Sequence, residues 1–140
     1  MSLENLERFV TVQENHYEQA LSEIRGGKKT SHWMWFIFPQ IRGLGRSAMS
    51  IRYSIANLQE AELYLAHPVL GPRLVEISQQ LWEVEGKSAH AIFGSPDDMK
   101  LLSSMTLFSL VTGAPSVFQK VLDKYFQGRR DERTLQAAKD

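Results

Sequence analysis

Between Leu6 and Phe126 the apolar residues recur at intervals of three and four, and glycine or proline cuts that recurrence into short runs. An α-helix returns to the same face about every 3.6 residues, so this spacing asks for helices. The competing pattern is missing: no two alternating, β-rich runs are joined by a hairpin turn. The expectation is an all-α fold: one domain over residues 1–140, with about seven to nine helices, several of them short, packed around one core.

The runs can be placed in turn. Leu3, Leu6 and Val10, with Phe9 beside them, open the first helix, with Ser2 as its cap and Glu4 in its first turn. Tyr17, Ala20, Leu21 and Ile24 share the face of a second, which Gly26-Gly27 ends because glycine accepts the left-handed geometry past a helix C-terminus. Lys28 to Ser31 reads as an exposed loop. Pro39 disfavours helical geometry at Phe38, so the dense run Trp33-Met34-Trp35-Phe36-Ile37-Phe38 has room for one helical turn. Ile41 to Ser47 is a flexible, basic loop, and Ser47 to Ile55 a short helix. Asn57 caps the next helix, with Leu58, Ala61, Glu62 and Leu65 on one side. His67-Pro68 separates it from a helix carrying Leu70, Leu74, Ile77, Leu81 and Val84. Ser88 to Phe93 makes one or two turns. Ser95-Pro96-Asp97-Asp98 reads as a helix start with a capping serine, proline at the first position and acids in the first turn; the helix should run to about Thr112. Pro115 starts another, with Val117, Val121, Leu122, Tyr125 and Phe126 inward. Residues 131–140 form a last short helix expected to fray.

Composition removes several functions. Of 140 residues 43% are hydrophobic, enough for a core and too many for disorder. The 16 basic residues balance the 16 acidic ones, which argues against nucleic acid as a partner. The chain has no cysteine, so disulfides, thiolate catalysis and cysteine-based metal centres are excluded. His16, His32, His67 and His90 are scattered without ligand spacing, so neither a metal nor a cofactor is expected. The acidic N-terminus lacks the pattern of a signal peptide, and Trp33–Phe38 is too short to span a bilayer. A cytoplasmic protein that does not enter the membrane is expected.

Two constellations carry chemistry. Lys29, His32, Gln40, Arg42, Arg46 and Ser47 flank the aromatic run, with Gly43 and Gly45 allowing backbone close to a ligand. Arginine and lysine suit phosphate or carboxylate, Trp33 or Trp35 could stack on a base, and Ser50 and Tyr53 add hydroxyls. The Gly-x-Gly element lacks the third glycine of a dinucleotide fingerprint, and no Walker-type loop is present. The second constellation is Lys100, Ser103 and Ser104, polar residues at the start of a helix whose later turns are almost wholly apolar. Joined, the two would bind a small anionic metabolite, nucleotide-like or a sugar phosphate. His32, Lys100 and Ser104 are the candidates for any catalysis, although the residues assign no reaction. Asp97 and Asp98 are explained by helix capping, His67 by structural hydrogen bonding, and Glu23, Glu76 and Glu83 as solvated surface groups. The alternative is a protein-interaction or homodimerisation module that uses an exposed Trp33–Phe38 surface as its anchor.

A family resemblance rests on several of these segments. Phe9, Gln13 and Tyr17 open it, followed by Ser31 to Gln40 and Gly43-Leu44-Gly45. Tyr64 to Gly71, Ile92-Phe93-Gly94 and Lys100 to Phe108 complete it. In this order, from roughly Leu6 to Leu135, the chain resembles the bacterial family known as domain of unknown function 1810. The resemblance implies a mainly helical single domain and no particular activity. Members are sometimes labelled calpastatin, but that inhibitor is long, charged and disordered, and this chain is rich in aromatic residues.

Overall fold

The computed structural model describes residues 3–139, with side chains from Asn5 onward. The roles expected of Ser2 and of the Glu4 side chain lie outside the described residues. Among the described residues are ten α-helices and no strand. A 3-10 turn (Leu3–Leu6) leads into α1 (Glu7–Gln13) and α2 (Tyr17–Arg25). The single turn α3 (Met34–Ile37) and the short α4 (Ala48–Arg52) follow. Then come α5 (Leu58–Ala66), α6 (Leu70–Glu83), α7 (Ala89–Phe93), α8 (Asp97–Ser109), α9 (Val117–Phe126) and α10 (Glu132–Ala138). The count is one above the upper expectation. Among the described residues no helix is long and apolar enough to cross a membrane.

The centre is α8. Every residue from Leu101 to Phe108 is buried, because α5, α7, α9 and α10 all pack on this helix. A helix covered on all sides must be apolar nearly all round, which explains its weak amphipathic pattern. α6 is the opposite case: Leu70, Leu74, Ile77 and Leu81 line one stripe against α2, α5 and α9. Aromatic rings join the helices in series. Tyr64 lies 5.3 Å from Phe9 and 5.2 Å from Phe108, and Phe108 lies 5.9 Å from Phe118. Gln13 is buried among them; its amide donates to the Phe36 carbonyl at 2.8 Å and the Tyr64 hydroxyl at 3.1 Å. One polar side chain thereby ties α1 to α3 and α5.

Local departures from expectation have local causes. Asn57 caps α5 as expected, accepting from the Glu60 amide at 2.9 Å. The buried face of α5 is Glu60, Ala61 and Tyr64, with Glu62 exposed. Glu60 is inside because its carboxylate accepts the Ala56 amide at 2.9 Å and lies 3.7 Å from Arg8. The α4 helix stops at Arg52, since Ile55 pairs instead with Ile41 in a one-residue parallel bridge: the Ile55 amide donates to Gln40 at 2.8 Å, and the Arg42 amide to Ile55 at 2.7 Å. Ser95 does not cap α8, which has Pro96 at the capping position and no side-chain acceptor there. That helix ends at Ser109, short of Thr112. The C-terminal helix α10 is tied to α8 at its start. Asp131 caps α10, accepting the Thr134 amide at 3.1 Å, and the Asp131 amide donates to the Thr106 hydroxyl of α8 at 2.9 Å. Thr134 is fully buried as a result.

Candidate functional site

The aromatic turn supplies core rather than surface. Trp33, Met34, Phe36, Ile37 and Phe38 are all buried, and Trp35 alone is half-buried. Trp33, 1% exposed, packs against Phe38 and Phe93. An exposed aromatic anchor over Trp33–Phe38 is therefore absent, and Trp33 offers no face to a ligand. The indole N–H of Trp33 needs a buried partner, and Glu23 provides it at 2.9 Å. The same carboxylate accepts from the Thr30 amide at 2.7 Å, the Ser31 amide at 3.0 Å and the Ser31 hydroxyl at 2.7 Å. Burial pushes its pKa up, but these hydrogen bonds outweigh it, those from Ser31 and Thr30 first, and hold the carboxyl at about 2. Glu23 is thus the organiser of the loop before α3, and not the solvated group expected. Glu76 is likewise engaged, accepting from the Tyr17 hydroxyl at 2.5 Å. Burial first, then Glu76, raise the pKa of that phenol.

The loop so fixed presents Lys29. Its ammonium lies 2.9 Å from Asp97 at the start of α8 and 5.1 Å from the centre of the Trp33 ring. The other oxygen of Asp97 lies 3.5 Å from the Lys100 ammonium, which sits 5.2 Å from the centre of the Trp35 ring. Asp97 therefore does more than cap a helix. It bridges two lysines, leaving one positive charge in excess, and both cations rest on indole faces.

Beyond Lys100 lies a cleft of about 400 Å³. It is lined by Gln40, Leu44 and Gly45 from the segment between α3 and α4, by Pro96, Met99, Lys100 and Ser103 at the start of α8, and by Asp131 and Arg133 at the start of α10. This volume falls in the range that holds small-molecule ligands, about 300–1,000 Å³. The hydroxyl of Ser103 has two acceptors for one proton, Asp131 at 3.1 Å and the Met99 carbonyl at 3.2 Å. Arg133 reaches across to donate to the Leu44 carbonyl at 3.0 Å. That bond fixes the Gly43-Leu44-Gly45 loop against α10. Gly45 is held close as well: a β-carbon there would come within 2.5 Å of the Ser50 side chain.

The residues singled out from the sequence divide accordingly. Gln40, Gly45, Lys100 and Ser103 border the cleft, and Trp35 stands behind Lys100. Lys29 is bound to Asp97. His32 and Arg46 are exposed and border no part of the cleft. Gly43 is exposed, with a left-handed φ of 100° that suits glycine. Ser47 caps α4, its hydroxyl accepting the Ser50 amide at 3.1 Å and donating to the Ser50 hydroxyl at 2.9 Å. Tyr53 packs between Phe9 and Phe36. Arg42 faces a different hollow with Arg8 and Arg52. Ser104 is fully buried, its hydroxyl without a hydrogen-bond partner. His67 is structural as expected, its Nδ1 accepting the Val69 and Leu70 amides at 3.1 and 3.3 Å. Asp131 and Arg133 were not expected at a site. The signal for them was the Asp131–Thr134 spacing of a helix cap, which marks an anchored helix rather than a loose tail.

A larger hollow, about 570 Å³, lies between Trp82, Glu83, Glu85, Lys120 and Lys124. Its two acids and two lysines cancel, and Lys124 is occupied in donating to the Trp82 and Val84 carbonyls at the end of α6. It has no charge excess with which to select a ligand. Among the described residues no group of acids and histidines is placed to hold a metal ion.

Fold and site together define a helical protein, without strands among the described residues, that has a small cation-bearing cleft between a glycine loop and its central helix. The chain belongs to the family described as Protein of unknown function (DUF1810), whose model matches residues 3–138. It is similar to the crystal structure of the conserved hypothetical protein Rv1873 from Mycobacterium tuberculosis, solved at 1.38 Å, with 48% sequence identity, 97% of each chain covered and a TM-score of 0.95. No curated protein matches the chain significantly.

Proposed function

We propose that the cleft binds a small anionic metabolite carrying a phosphate or carboxylate and an apolar or planar body, as a nucleotide or a sugar phosphate does. The carrying observation is that Gln40, Gly45, Lys100 and Ser103 line one hollow of ligand size. Lys100 and Arg133 supply the positive charge, and the guanidinium suits a two-oxygen contact with phosphate. Asp131, whose carboxylate accepts from Thr134 and lies within hydrogen-bonding distance of Ser103, brings one negative charge to the lining, so Lys100 and Arg133 together leave one positive charge in excess. Gln40 orients the ligand, and Leu44, Pro96 and Met99 give its body an apolar surface. The binding role does not require a reaction.

The test is a thermal-shift screen of nucleotides, sugar phosphates and organic acids against the intact protein. Hits should raise the melting temperature by several degrees, which mass action requires once ligand is about 100-fold above its Kd. The shift should disappear in Lys100→Gln and Arg133→Gln and persist in His32→Ala. A screen without hits, or hits indifferent to Lys100 and Arg133, would remove the proposal.

A further inference from the structure

We propose a second anion site, built by Arg8, Arg42 and Arg52 on the face where α1 meets the end of α4, for the phosphate group of a small soluble compound. It shares no lining residue with the cleft, so it stands or falls separately from the proposed function. Two adjoining hollows of about 290 and 440 Å³ meet here, with Arg8 and Arg52 on the border of both.

Arg8 is the fixed part. Its Nε donates to the Arg52 carbonyl at 2.8 Å, one terminal nitrogen donates to the Ser54 carbonyl at 2.8 Å, and the other to the Asn5 carbonyl. Glu60, almost fully buried, lies 3.7 Å away and neutralises this one guanidinium. Arg42 and Arg52 have no such partner among the described residues: neither guanidinium donates to an acceptor, and no carboxylate lies within ion-pair distance. Arg52 rests 5.6 Å from the centre of the Tyr53 ring, which limits its wandering. Three guanidiniums thus meet one carboxylate in a chain whose overall charge is zero. The excess is local.

The chemistry favours phosphate. Arg42 and Arg52 keep all their N–H donors, and the planar fork of a guanidinium matches two oxygens of a phosphate. Among the described residues the nearer hollow is lined almost wholly by polar groups, with Ile51 its one apolar side chain. It therefore suits an anionic head rather than a ring. The hydrogen bonds of Arg8 all go to main-chain carbonyls, its ion pair to Glu60, and its guanidinium lies 4.5 Å from the centre of the Phe9 ring, so it holds the frame while the two free arginines meet the ligand.

The experiment is calorimetric titration of the intact protein at low salt with pyrophosphate, inorganic phosphate and glycerol 3-phosphate as separate arms, beside NMR of the arginine Nε–H signals. Saturable binding is expected, with shifts at Arg42 and Arg52. Binding of glycerol 3-phosphate at least as well as inorganic phosphate identifies a phosphomonoester site, and the reverse order a free-phosphate site. The double variant Arg42→Gln/Arg52→Gln should bind at least tenfold more weakly while its melting temperature stays unchanged, since both side chains are exposed. The Arg42→Lys/Arg52→Lys pair, which keeps charge but not the fork, should lose several-fold. Glu83→Gln, outside the cleft and both of these hollows, should bind as wild type. Absence of saturable binding, full affinity in either double variant, or shifts confined to the Lys100 cleft would overturn the proposal.

Discussion

Replacing Glu23 tests how the loop before α3 is held, because the consequence depends on pH in a calculable way. Its carboxylate accepts from Thr30, Ser31 and the Trp33 indole, and these donors hold it at about 2. In the unfolded chain the carboxyl returns to ~4.3, and each unit of difference is ~1.36 kcal/mol. The full difference would be roughly 3 kcal/mol; partial exposure reduces it to about 1–2 kcal/mol. Glu23→Gln, which removes the charge and keeps one acceptor oxygen, should therefore destabilise by about 1–2 kcal/mol at pH 7. Glu23→Ala also strands the buried Trp33 N–H, which costs a further ~1–3 kcal/mol.

A group whose pKa falls on folding stabilises the native state above its unfolded pKa, and that stabilisation is lost as pH drops through the folded value. The gap between wild type and Glu23→Gln should be full at pH 6–7 and shrink between ~4.3 and about 2. Urea unfolding followed by tryptophan fluorescence across that window measures it. Equal stability at pH 7, or a gap unchanged at pH 2.5, would refute the reasoning. In the first case the hydrogen bonds form in water as readily as in the fold; in the second the loss comes from packing and not from charge.

The two tryptophans of the dense run should part company. Trp33→Ala should cost about 4 kcal/mol and Trp35→Ala clearly less, since only the first ring is fully enclosed; equal midpoints in denaturant would contradict the burial. Ser104→Ala removes a buried hydroxyl that has no partner, so it should be neutral or stabilising by up to ~1 kcal/mol; a loss above ~1 kcal/mol would reveal a hydrogen bond through an ordered water.

What could be read in advance was what one segment decides alone. The stripe Leu70-Leu74-Ile77-Leu81, the cap at Asn57 and the single turn cut short by Pro39 each depend on residues within a few positions. The misreadings share the opposite property. Glu23 looks solvated on its own helix, yet its partners are seven to ten residues ahead in a loop. Glu60 is buried because Arg8 reaches it from α1. Ile55 leaves its expected helix for a bridge to Ile41. The candidate site shows the same division. Lys100 and Gln40 could be suspected from polarity beside apolar runs. Asp131 and Arg133 could not, because only the docking of α10 on α8 carries them to the cleft. Arg42 sits two residues from Gln40, yet the bridge and the turn after it send the two to separate hollows.

The ion-paired lysines explain how a neutral chain can keep a cationic cleft without a large local repulsion. Lys29 is 8% exposed in its side chain, and such a charge must be paired to be stable. Asp97 pairs it at 2.9 Å and reaches Lys100 only at 3.5 Å, so the closer contact goes to the more buried cation. Lys100 is left with a longer contact, an indole face and an open side toward the cleft. On the proposed function, an anion arriving there would complete its pairing without first breaking the Lys29–Asp97 contact. The geometry of the loop before α3, set by Glu23, thereby bears on the charge offered by α8, although Glu23 itself borders no part of the cleft.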